Sequence, residues 1–285
     1  MARAVSGRGS RGIAAWKPGK KPEGEREARG RAGAGRVWGM ELPIFQDNLK
    51  SSGGWAERVA RGRAEWDRWL ELPGGLASRD QRVEPLELRA IIHGWGDRRE
   101  QETVSPIDHD CLLMATARIR QWAREPGVGF GSAQLLEIYR QVDGRETDLP
   151  PWRTEQPPLL SPLHDPVPAV LLPRMVDLAF DWFTSEGFEE MHPLEQATVV
   201  FLRLLDLHPF ESPARTKWTA LLAAGFYTQR AGLPPLIVDP GAPDASARFD
   251  QALEAAFRML TQPLIELFAE ATLRTMEEVG APEAV

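Results

Sequence analysis

The feature that most constrains this chain is a nearly uninterrupted apolar run, Ala197-Thr198-Val199-Val200-Phe201-Leu202-Arg203-Leu204-Leu205-Asp206-Leu207, that stops at His208-Pro209. A run of this length, with charges only at Arg203 and Asp206, predicts a helix buried on most of its faces. Proline cannot continue it, so a short turn follows, and a second helical stretch runs through Arg215, Leu221, Leu222 and Phe226 to Gly232 and Pro234-Pro235. A histidine therefore stands at the end of one helix, just ahead of another. Helical periodicity dominates elsewhere, and no alternating run is long enough to build a sheet. The expected fold class is all-α, a helical bundle with room for one small β-hairpin, plus an N-terminal helical segment and a disordered basic arm.

The turn, His208-Pro209-Phe210-Glu211-Ser212-Pro213-Ala214-Arg215, resembles the signature of the Fic family, His-Pro-Phe-x-(Asp/Glu)-Gly-Asn-Gly-Arg-x-x-Arg. Members of that family typically move AMP or another phosphate-containing group onto a protein hydroxyl. The pattern fits only if one loop residue is removed. Glu211 then takes the acidic position and Arg215 that of the first arginine, Ser212, Pro213 and Ala214 replace Gly-Asn-Gly, and Trp218 replaces the last arginine. Glycines let backbone N–H groups approach a phosphate at a helix N-terminus, and proline has no N–H to give. Loss of the second arginine removes a bidentate clamp, which Lys217 could replace only with a point charge from another helical direction.

The resemblance implies roles for the residues that remain. His208 would be the base that takes the proton from a target hydroxyl, and a pKa near 6.5 suits that work. Glu211 would hold Mg²⁺ on the phosphates of a nucleotide donor, ATP or another, while Ser212, Arg215 and Lys217 would contact that donor. The local alternative is that His208 caps a helix C-terminus, where positive charge is favoured, and that Phe210 is core.

The resemblance spans about residues 85 to 275. It takes in Pro168–Phe183 and the His192-Pro193 helix start, where His192 reads as a cap or packing residue. Leu135–Gly144 matches the helix that precedes the family's flap, a small hairpin that aligns the target. The corresponding stretch, about 145 to 165, holds Pro150, Pro151, Pro157, Pro158 and Pro162, which argues against strand pairing; Trp152 is either a loop anchor or a lid. Where the family carries an inhibitory Ser-x-x-x-Glu-Gly pattern, this chain reads Leu88-Arg89-Ala90-Ile91-Ile92-His93-Gly94. His93 replaces the glutamate whose arginine partner is also missing, so that latch is expected to be gone.

Charge is uneven. Residues 1 to 39 hold ten Lys/Arg against three Asp/Glu, net +7, which leaves −14 on the rest of a chain of net charge −7. Such a Gly/Arg/Ala-rich arm cannot bury enough surface to fold alone and reads as disordered; translation starting at Met40 is the simpler expectation. The acidic body argues against a nucleic-acid substrate. No run approaches the roughly 18 apolar residues of a membrane span. The single cysteine, Cys111, excludes an internal disulfide, sits in an apolar run that reads as buried, and suits the cytoplasm. Trp55 to Leu72 reads as an amphipathic helix with Val59, Trp66, Trp69 and Leu70 on its apolar face, ended by Pro73-Gly74-Gly75 and docked on the core or on a second subunit.

The expected organisation is thus a basic arm (1–39), an N-terminal helical extension (40–84), a Fic-like domain (85–275) and a tail (276–285). Two functions stand side by side. One is a divergent transferase that uses Mg²⁺ and a nucleotide to modify a target protein. The other is a catalytically inactive scaffold that binds a protein or nucleotide and needs no cofactor.

Overall fold

The computed structural model describes residues 54–92, 106–144, 152–159, 164–238 and 245–280. The arm 1–39 and the His93-Gly94 pair lie outside them. The described chain forms α1 (Trp55–Leu70), α2 (Gly75–Ile92), α3 (Pro106–Arg124), α4 (Ser132–Asp143), α5 (Leu172–Trp182), α6 (Glu186–Glu189), α7 (Pro193–Leu207), α8 (Pro213–Arg230), α9 (Ala245–Phe257) and α10 (Gln262–Gly280), with a 3₁₀ turn at Ala169–Leu171. Among the described residues there is no strand, so the all-α expectation holds. The described part of the 145–165 stretch, 152–159, makes a single antiparallel bridge, Trp152 to Phe210, on the motif turn. Pro157 and Pro158 cannot donate to a ladder and stop the pairing there.

Helix α7 is the hub. His192 caps it as expected: its Nδ1 accepts from the Leu194 N–H at 3.2 Å, and Glu195 Oε2 accepts from the His192 N–H at 2.9 Å. Pro193, with no N–H, takes the first turn, where none is needed. Beyond it Ala197, Val199, Val200, Phe201, Leu204, Leu205 and Leu207 are all buried, as the apolar run required. Helices α5, α8 and α10 cover it, and Phe201 meets Phe249 of α9 and Phe268 of α10 edge-on. Helix α8 returns along α7 and rests on α3 and α4, burying Trp218, Leu221, Leu222 and Phe226. These packings fix the α7–α8 turn in place.

Helix α1 docks on this chain's own α10 and α2, through Trp55, Val59 and Trp66. Trp69 and Leu70 are partly buried, and the helix stops at Leu70 rather than Leu72. Gly62 permits the close approach, since a Cβ there would lie 2.9 Å from Leu273 Cδ2 on α10. The points 84/85 and 275/276 lie inside α2 and α10, and buried Thr275, Met276 and Val279 continue the core past the second of them. No helix of the described residues is long and apolar enough to cross a membrane.

Helix α4 ends at Gly144, whose φ of 66° places it in the left-handed region while its N–H bonds the Arg140 carbonyl at 3.0 Å. A Cβ there would come 3.1 Å from the sulfur of Cys111, which is buried as expected. Gly144→Ala should therefore cost about 1–2 kcal/mol, read as a lower urea midpoint with an unchanged slope. A loss of only a few tenths would mean that the α4 terminus relaxes freely.

Candidate active site at the α7–α8 turn

His208 ends α7 in the left-handed conformation (φ 44°, ψ 64°), its N–H bonded to the Leu204 carbonyl at 3.0 Å. A non-glycine residue pays about 1–2 kcal/mol for that conformation, and Pro209 then turns the chain away. The imidazole is wholly buried, and among the described residues neither Nδ1 nor Nε2 has a hydrogen-bond partner. Burial lowers its pKa to about 4; the neighbouring His164 and Arg153 push the same way, and Glu211 pushes weakly against them. The ring is neutral at neutral pH, so the helix-dipole argument for a charged cap does not apply. As a base it is weak, and in this conformation no target hydroxyl reaches it.

The stretch 152–159 lies against its main chain. Arg153 is 2 % exposed, and its guanidinium lies on the main chain: Nε donates to the His208 carbonyl at 2.7 Å, Nη1 to Glu155 O at 2.9 Å, and Nη2 to Leu207 O at 3.4 Å and to Val167 O. Two of these acceptors are the last carbonyls of α7, where a helix leaves oxygens unbonded and favours a cation. Burial lowers the Arg153 pKa, partly offset by Glu211, but a guanidinium stays charged. Alongside, the Arg153 N–H donates to Pro209 O at 2.9 Å. Trp152 stacks on the buried Phe210 at 5.8 Å, and Tyr139 of α4 stacks on it at 3.7 Å. Trp152 is thus a loop anchor, and Phe210 is core. His164 lies nearby, its ring centroid 6.3 Å from that of His208 and its Nε2 3.0 Å from the Asp206 carbonyl.

The other expected site residues are each engaged within the fold. Glu211 Oε1 accepts from the Thr154 N–H at 2.6 Å and from the Thr154 hydroxyl at 3.1 Å. Ser212 caps α8, its Oγ accepting from the Arg215 N–H at 3.3 Å. Pro213 fills the first helical position without an N–H. Arg215 Nε is paired with Asp143 Oδ1 at 3.1 Å. Lys217 Nζ lies over the Phe249 ring at 4.6 Å, beside α9 rather than in the turn, and Trp218 is buried. His208, Glu211, Ser212 and Arg215 thus gather at the turn, and Lys217 does not join them. Glu211 Oε1, Ser212 Oγ and Arg215 Nε, on which a magnesium-bound phosphate would draw, each already have one protein partner. Glu211 has a second carboxylate oxygen, and Mg²⁺ commonly binds through one carboxylate together with substrate phosphates, so the acidic position itself suits the metal.

Sequence reasoning missed Arg153, Thr154, His164 and Asp143. Asp143 carried a readable signal, because an acidic residue at the last position of a helix opposes the dipole and calls for a cation from elsewhere. Arg153 carried none. It sits in a proline-rich stretch without periodicity, and only the fold brings α7's terminal carbonyls to it.

No family model matches the chain. It is 29 % identical over 145 residues to the protein adenylyltransferase Fic of Nematostella vectensis, and 24 % identical over 171 residues to the protein adenylyltransferase fic-1 of Caenorhabditis briggsae. These matches cover 50 % and 59 % of this chain but 32 % of each relative, so the chain spans about a third of the length of the curated relatives it matches. Among solved structures, a Fic-1 fragment from C. elegans superposes with a TM-score of 0.63 over 81 % of this chain and 73 % of that one, at 17 % identity. A Fic domain containing signaling protein from Bacteroides thetaiotaomicron superposes with a TM-score of 0.59 over 78 % and 97 %, at 14 % identity.

Proposed function

We propose that this chain, Fic-like in fold and similar in sequence to Fic protein adenylyltransferases, works as a catalytically silent member of that lineage, a scaffold that binds a protein partner without transferring a nucleotide to it. One observation carries the reading: the only histidine of the motif is fully enclosed, with its pKa lowered to about 4. The internal bonds of Glu211, Ser212 and Arg215 support it, since a nucleotide donor would have to compete with Thr154, the α8 N-terminus and Asp143 for these side chains. So does Pro213, which withholds an N–H where a phosphate would want one. A cytoplasmic location suits the single buried cysteine.

A second reading, a transferase with an altered donor, is favoured by one specific observation. Both ring nitrogens of His208 lack partners among the described residues, and a buried unsatisfied polar group is uncommon enough to ask for a role. In that case His208 would accept the target's proton once exposed, with Mg²⁺ and ATP or another nucleotide as cofactors.

The test is a labelling assay of the purified full chain in host lysate with Mg²⁺ and ATP, GTP, CTP, UTP or CDP-choline, run beside His208→Ala. The expected result is no His208-dependent label from any donor and no nucleotide-induced rise in melting temperature. Label that vanishes in the variant would establish the transferase and name its donor.

A further inference from the structure

We infer that residues 152–159 form a strap that shuts the candidate site, latched by Arg153 in the carbonyl cage at the end of α7 and by Thr154 on Glu211, and that release of this strap is what opens His208 to anything outside. This deepens the silent-scaffold reading by naming what closes the site, and it concerns access alone.

Three contacts of different chemistry converge on the same three residues. Trp152 stacks on Phe210, Arg153 gives its donors to the carbonyls of Leu207, His208, Glu155 and Val167, and Thr154 gives both its N–H and its hydroxyl to Glu211. The arrangement is unlike an ordinary core. Burying a guanidinium on main-chain oxygens holds a charge that water would otherwise solvate, so the latch is finely balanced between protein and solvent acceptors. The outer half of the strap is exposed at Thr154, Glu155 and Gln156, and Gln156 Nε2 makes one further bond, to Pro166 O at 3.1 Å. Nothing on the strap is integrated into a helix. It can therefore open as a local unit while α7 and α8 stay packed.

The strap also accounts for the backbone of His208. A left-handed non-glycine residue persists where its surroundings hold it. Here the held atom is the His208 carbonyl, gripped by Arg153 at 2.7 Å. Loss of the grip frees that peptide, and the ring, unpartnered among the described residues, has no side-chain bond to keep it inside.

Accessibility of His208 can be read directly by carbethoxylation with diethyl pyrocarbonate, quantified by peptide mass spectrometry, with the partly exposed His109 and His192 as internal references. In the unaltered chain at pH 7.5, His208 should label at least about tenfold more slowly than the references. Arg153→Met keeps an apolar stem but removes every donor, and should raise the His208 rate by about tenfold or more, since even one charged hydrogen bond is worth about that in an opening equilibrium. Glu211→Ala, at an exposed position, releases only Thr154 and should raise the rate by a smaller factor. Far-UV circular dichroism checks that the helices persist. Should Arg153→Met lose them, Glu211→Ala decides alone. Fast labelling of the unaltered chain, or an unchanged slow rate in the folded variants, overturns the strap. Neither result depends on whether nucleotide transfer occurs, so failure of the strap and failure of the silent-scaffold reading are seen in separate experiments.

Discussion

Replacing Arg120 with methionine should destabilise the fold by about 3–5 kcal/mol, because it strands a buried carboxylate. Arg120 on α3 is hydrogen-bonded to Glu87 on α2, and Glu87 is 2 % exposed. Burial pushes the Glu87 pKa up, while Arg120 and then Thr116 hold it down. With Arg120 gone, only the Thr116 hydrogen bond is left to oppose burial and the nearby Glu84, and the carboxyl must either stay charged without a cation or take up a proton. Glu87 borders a small cavity lined also by Thr116, Leu222, Gly225 and Ile237, so the damage falls where α2, α3 and α8 meet. Guanidinium unfolding followed by circular dichroism measures the loss. The double variant Arg120→Met with Glu87→Leu should recover most of it, since replacing both members of a buried pair by apolar groups is often neutral or better. A single-variant loss below about 1 kcal/mol would mean that Glu87 meets solvent after all.

How much of this was legible in the sequence follows from which interactions are local. The buried hub of α7, its His192-Pro193 start and its stop at His208-Pro209 were all written in consecutive residues, because capping and helix termination act over three or four positions. The all-α class followed from the same periodicity. The site was legible only as a set of residue types. His208 and Glu211 could be named as base and metal ligand, but their state depends on Arg153 and Thr154, some 55 residues earlier in the chain and brought alongside by tertiary packing. The prolines of the 145–165 stretch could be read as poor strand formers, yet nothing in them says that Trp152 will pair with Phe210. The limits 85 and 275, set by the extent of the resemblance, mark no break in the helices: α2 and α10 run through both points with buried residues on either side.

The burial that silences His208 should also make it a liability in acid. In the unfolded chain its pKa is near 6.5, and in the fold it is lowered to about 4. As pH falls the unfolded state therefore takes up the proton first, and stability drains away between about pH 6.5 and 4, with no contribution above that window and no further loss below it. At about 1.4 kcal/mol per pH unit, the gap is worth about 3 kcal/mol. Other groups titrate nearby. Glu87 and Glu195 have raised pKa values and so favour the fold as pH falls, while His192, lowered by burial, acts like His208. A difference measurement cancels these. His208→Asn keeps a side chain that tolerates the left-handed conformation and removes the titrating ring. Unfolding free energies of the two proteins should diverge by about 3 kcal/mol between pH 7 and pH 4, with the unaltered chain losing the more. Parallel curves would mean that the ring meets water in the folded protein, and the enclosure on which the silent reading rests would go with it. The groups facing His208 give the divergence its direction: a protonated ring would stand beside Arg153 and His164, with only Glu211 to oppose them. Acid should thus act at the point where the strap grips α7, and the loss of stability should begin there.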